Sequence, residues 1–90
     1  MDDEKALIFI REEIDSIDAE IIALLESRLN LSRGIGKIKK NLDKNLFDET
    51  REEEILKKID ELALIYPKED MKEIFKLIMK TSLNQQKEDE

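Results

Sequence analysis

The sequence predicts an all-α protein. Three observations carry the prediction. Apolar residues recur at steps of three and four through three segments, the spacing of a one-sided helix. Turn-makers are scarce, with two Gly and one Pro in 90 residues. Charged residues reach 43% against 4% aromatic, a balance suited to amphipathic helices rather than sheets. The length predicts a single domain over residues 1–90. So small a domain buries a limited share of its surface and is marginally stable alone.

The first helix is expected from about Glu4 to about Lys40. Its stripe contains Leu7, Ile10, Ile14, Ile17, Ile21, Leu24, Leu25, Leu31, Ile35 and Ile38. Gly34 and Gly36 weaken its end, each by roughly 1 kcal/mol relative to Ala, and mark a point where another element can approach closely. Asn41 to Phe47 reads as a loop. Asp48 is a good N-cap for a second helix from about Glu49 to Ile65, with Ile55, Ile59, Leu62 and Tyr66 on one face. Tyr66-Pro67 interrupts the pattern, because a residue before Pro avoids the helical region. Pro67 suits the first turn of a third helix running to about Gln86, with Met71, Ile74, Phe75, Ile78 and Met79 inward. Gln85 to Glu90 reads as a polar tail. No internal repeat is visible.

The first helix raises a geometric problem. At about 1.5 Å per residue it is roughly 54 Å long. A 90-residue globule has a radius of gyration of only about 12 Å. The helix therefore breaks near Gly34 or is covered by a second chain. The stripe continues along most of its length, which favours the second chain.

Composition excludes much. The net charge is −7 and no block of Lys or Arg stands out, so nucleic acid and anionic membranes are poor partners. No apolar run is long enough to span a bilayer, and Met1-Asp2-Asp3-Glu4-Lys5 lacks the basic start of a signal peptide. A cytoplasmic location is the expectation. Cysteine and histidine are both absent, which removes thiol chemistry, the usual proton shuttle and the commonest metal ligand. No cofactor or metal is expected. Any enzymatic chemistry must work with Arg, Lys, Glu, Asp, Ser and Gln.

Polar residues stand where core is expected. With Ile14 at zero and about 100° per residue, Arg28 falls near −40°, Ser32 near 0° and Lys39 near −20°. All three lie within the apolar stripe, and Arg11 lies at its margin, near about +60°. A single cation can snorkel out of such a position. Two mid-stripe cost several kcal/mol unless paired or solvated in a cavity. Arg51 and Glu52 flank the stripe of the second helix, where Glu52 also suits the helix dipole. Ser82 and Gln86 extend the apolar arc of the third. Cations, neutral hydrogen-bonders and a carboxylate bordering apolar faces describe a pocket for an anionic ligand. Arg28 and Lys39 are about 16 Å apart along the axis, close enough for long side chains to grip opposite ends of one small molecule. Arg11 lies about 25 Å from Arg28, so it reaches such a ligand only from a partner chain.

At this point the residues match a family. Ile10-Arg11-Glu12-Glu13-Ile14-Asp15-Ser16-Ile17-Asp18 resembles the opening of the all-helical chorismate mutases. So do Leu24-Leu25-Glu26-Ser27-Arg28 and Ile35-Gly36-Lys37-Ile38-Lys39. Asp48-Glu49-Thr50-Arg51-Glu52 resembles the family's second-helix start, and the stretch from Ile74 to Gln86 its end. The resemblance covers nearly the whole chain, with the motifs in the family's order.

It implies an intertwined homodimer of three-helix chains that converts chorismate to prephenate in aromatic amino-acid biosynthesis, without a cofactor. It also implies roles. Arg28 and the partner subunit's Arg11 would bind the two carboxylates. Lys39 and Gln86 would donate to the ether oxygen. Glu52 and the Asp48 backbone would hold the ring hydroxyl, and Arg51 and Ser82 would complete the pocket beside a carboxylate. Ile35, Ile55, Met79 and Leu83 would pack the ring. Gln85 stands beside Gln86, and the sequence leaves open which amide points inward. Two other readings stand beside this one. An isochorismate-pyruvate lyase uses the same fold on a positional isomer, and a helical dimerisation module would explain the stripes but not Arg28 and Lys39.

Overall fold

In the computed structural model, which describes residues 2–89, the described residues form three helices and no strand. They are α1 (Asp3–Asn41), α2 (Glu49–Leu62) and α3 (Lys68–Glu88). The contacts divide the chain into two units, Met1–Asn30 and Leu31–Glu90.

The first unit consists of the N-terminal part of α1. Asp2 Oδ1 accepts from the Lys5 N–H at 2.8 Å, which satisfies one of the free donors of the first turn. Asp3 and Glu4 place negative charge at the positive end of the helix dipole. Leu7, Ile10, Ile14, Ile17, Ile21 and Leu24 are each between 49% and 68% exposed. The periodic stripe thus forms as a helix face but is uncovered within one chain.

The second unit holds the end of α1 together with α2 and α3, which pack on one another. The helix passes through Gly34 and Gly36 without a break. It ends where Asp43 takes a left-handed φ of 55°, with the Leu42 N–H donating to the Ile38 carbonyl. A short-chain Asp tolerates that conformation better than most residues.

Asp48 caps α2 as expected, its Oδ1 accepting from the Arg51 N–H at 3.0 Å. The core lies between α2 and α3, where Ile59 and Met79 are buried and Ile55, Leu56, Met71, Phe75 and Ile78 are half-buried. Asp60 and Lys72 pair at 2.9 Å beside it, and the Lys72 ammonium holds the Asp60 carboxyl below its ordinary range. The Lys68 ammonium also donates to the Asp60 carbonyl at 2.7 Å.

Several expectations need correction. The second helix stops at Leu62, not Ile65: the Ala63 N–H closes the last bond to Ile59, and the backbone then turns extended. The chain therefore leaves the helix well before the residue that Pro67 restricts directly. Leu62, the last residue of α2, and Tyr66, beyond it, are exposed instead of sharing the buried face, Ile65 is 98% exposed, and Leu56 is half-buried instead. Pro67 is the N-cap of α3 rather than part of its first turn. Residues 85–88 are helical rather than a tail, because tertiary bonds hold that end. Of the five residues expected inward on the third helix, Ile74 is exposed.

Candidate active site

The second unit assembles a polar cluster between the last three turns of α1 and the end of α3. Its centre is Gln86, 7% exposed. Nε2 of Gln86 donates to the Ser32 carbonyl oxygen at 2.7 Å and to Ser32 Oγ at 3.0 Å. Gly36 explains how the side chain fits. A Cβ at Gly36 would stand 2.7 Å from Gln86 Cγ and 3.0 Å from Gln86 Cβ. The glycine is needed here for the space it leaves, one turn beyond Ser32, and not for backbone freedom. Gln85 faces the other way and donates to Glu88 at 3.1 Å. The structure thus selects Gln86 as the inward amide.

Two further bonds hold α3 at this place. The Lys40 ammonium donates to the Gln86 carbonyl at 2.7 Å. Arg33 grips Asp89 through two bonds, Nε at 2.7 Å and Nη2 at 2.8 Å, the bidentate geometry natural to a guanidinium. That hydrogen bond lowers the Asp89 carboxyl below its usual range and raises Arg33. Ser32, Gly36 and Lys40 are spaced by four residues, one face of α1.

Lys39 is positioned separately. Its ammonium donates to the Leu46 carbonyl at 3.2 Å and lies 3.9 Å from Asp48 Oδ2. Asp48 therefore links two elements, one oxygen capping α2 and the other facing the end of α1. Only about a fifth of the Lys39 side chain is exposed, which agrees with its mid-stripe position in the sequence.

The remaining candidates divide by unit. Arg11 and Arg28 lie on the first unit, Arg11 exposed and Arg28 half-buried. On the second unit Ser82 is buried, and Glu52, Ile55 and Leu83 are half-buried. Met79 is buried in the α2·α3 core. Ile35 is exposed. Arg51 is also exposed, with Nη1 on Glu54 at 3.3 Å. Sequence reasoning missed Arg33, Lys40 and Asp89, and it gave Ser32 no role. Only the four-residue spacing of Ser32, Gly36 and Lys40 offered a signal, and it does not name the partner. Among the described residues, no helix is long and apolar enough to cross a membrane.

Chemically, the second unit presents a fixed neutral donor, Gln86, and separately a cationic side chain held largely out of water, Lys39, each mounted on a helix. Such groups suit stabilisation of an oxygen that gains charge during a reaction.

Comparison with known proteins agrees. The bifunctional chorismate mutase/prephenate dehydratase of Aquifex aeolicus is 35% identical over 83 residues, covering 87% of this chain and 23% of that protein. An intracellular chorismate mutase of Mycobacterium tuberculosis is 38% identical over 54 residues, covering 60% of this chain and 51% of that one. The chain thus spans between about a quarter and about half of these curated relatives. A chorismate mutase structure from Thermus thermophilus superposes with a TM-score of 0.86 at 32% identity, covering 91% of this chain and 94% of that one. The family described as chorismate mutase type II matches residues 10–87, which takes in α2, nearly all of α3 and all but the first turns of α1, and the chain belongs to that family.

Proposed function

We propose that this chain is a chorismate mutase, isomerising chorismate to prephenate within an intertwined homodimer. The observation that supports the reading is the buried amide of Gln86 on α3, the residue to which the family resemblance assigns the ether-oxygen contact.

The reaction breaks one C–O bond and forms one C–C bond within a single molecule. It needs no proton transfer, metal or redox partner, so a chain without Cys or His can perform it. The barrier comes partly from folding an extended side chain over the ring. Arg28 and the partner subunit's Arg11 hold the two carboxylates of that compact conformer. As the ether bond stretches, its oxygen gains negative charge, and Lys39 and Gln86 donate to it. Glu52 and the Asp48 backbone receive the ring hydroxyl. Arg51 and Ser82 complete the pocket beside a carboxylate, while Ile35, Ile55, Met79 and Leu83 pack the ring.

The uncovered stripe from Leu7 to Leu24 supports the dimer, because an apolar face this long is stable in water only against another surface. The single-domain organisation and a cytoplasmic location belong to the same proposal.

The test is incubation with chorismate, following its ultraviolet loss and identifying the product. Prephenate formation supports the reading. Release of pyruvate from isochorismate instead would assign a lyase. Absence of turnover, with no thermal stabilisation by either dianion, would leave a dimerisation module.

A further inference from the structure

We infer that Ser32 is the positioning residue that sets the Gln86 amide in its donor orientation before any ligand arrives. The inference rests on the reading that Gln86 donates to the substrate's ether oxygen.

Ser32 lies mid-stripe on α1, where an apolar side chain would be expected, and packing alone gives its hydroxyl no purpose. Its two oxygens both meet Gln86 Nε2, the carbonyl at 2.7 Å and Oγ at 3.0 Å. They do different things. A carbonyl oxygen only accepts, so it forces the nitrogen end of the amide, not the oxygen end, toward α1. One such bond leaves the amide plane free to turn, because the terminal torsion of Gln is broad. The hydroxyl supplies a second acceptor on the same nitrogen and fixes that plane. Gly36 adds the third constraint by admitting the Gln86 stem against α1, where a Cβ would meet Cγ at 2.7 Å. The orientation of the amide is then set by one residue and one gap on the same helix face. Preorganisation of this kind removes the cost of reorienting a donor as charge develops.

Substitution at position 32 separates the two oxygens, since the carbonyl survives and the hydroxyl does not. Ser32→Ala and Ser32→Thr are compared with the unaltered chain. The first readout is the side-chain NH2 group of Gln86 by 15N NMR without ligand. Ser32→Ala is expected to shift both proton resonances and speed their exchange, and Ser32→Thr to leave them near their original positions. The second readout is steady-state kinetics. Ser32→Ala is expected to lose about tenfold in kcat with KM changed by less than about twofold, a misplacement effect on the reacting geometry, and Ser32→Thr to recover most of the loss. An unaltered Gln86 resonance in Ser32→Ala, or an unaltered kcat, overturns the inference. Failure of the unaltered chain to turn over chorismate overturns the activity reading instead, and the NMR comparison still decides whether Ser32 orients the amide.

Discussion

Gly36 and Gln86 are in such close contact that the side chain of one occupies the space a Cβ on the other would fill, 2.7 Å from Cγ. Gly36→Ala is therefore expected to push α3 off α1 or swing the amide away from Ser32. Overpacking of this kind costs roughly 1–3 kcal/mol, more than the roughly 1 kcal/mol of helix propensity that Ala adds. Gly34 is the control, since a Cβ there meets nothing within 4 Å. Gly34→Ala is expected to stabilise by about 0.5–1 kcal/mol. Denaturant melts of the two variants should move in opposite directions, and a shared direction would contradict the packing described.

Neutrality at position 86 predicts a pH profile. The acceptor facing Nε2 is a backbone carbonyl, which repels a carboxylate oxygen at the same distance. Gln86→Glu is expected to need a proton there, and burial also favours the protonated acid. Its kcat should be lower than that of the unaltered enzyme by roughly 10²–10³ near neutrality and should rise as pH falls. The unaltered enzyme should be nearly flat between about pH 6 and 8, since a neutral amide has no proton to gain or lose there. Kinetics of both across about pH 4 to 9 check this.

Asp48 divides its two oxygens between the α2 N-terminus and Lys39. Asp48→Ala removes the cap and should cost about 1 kcal/mol of stability. Asp48→Asn keeps an accepting oxygen and should lie within a few tenths of a kcal/mol of the original. Thermal melts separate these expectations.

Arg33 and Asp89 predict an acid-sensitive end to α3. The guanidinium lowers the Asp89 carboxyl in the folded chain, so the folded value lies below the unfolded one. The contribution is complete above the unfolded pKa of about 3.9 and disappears as pH falls through the lower folded value. Arg33 stays charged throughout and adds no pH dependence in this window. Amide exchange at residues 87–89 should accelerate in that acid range, and Asp89→Asn should exchange fast at every pH.

Sharing of sites between subunits predicts complementation. Arg11→Ala and Arg28→Ala chains should each be inactive alone. Mixed and allowed to exchange, they should regain one working site per heterodimer. No recovery after confirmed exchange would contradict a site built from both chains.

The sequence by itself determined the three helices, the Asp48 cap and the interruption at Pro67, because periodicity, capping and proline geometry act over a few residues. It also singled out Lys39 and Gln86, since a polar side chain inside an apolar stripe is visible without knowing its partner. What only the tertiary structure decided lies at long range. Gln86 meets Ser32 across 54 residues, and Arg33 meets Asp89 across 56. Those pairs chose Gln86 over Gln85, gave Gly36 its reason and carried α3 on to Glu88. The early stop of α2 at Leu62 belongs with them. Leu62 and Tyr66 continue the spacing of Ile55 and Ile59 but are exposed in this chain, and periodicity without a covering surface does not hold a helix together.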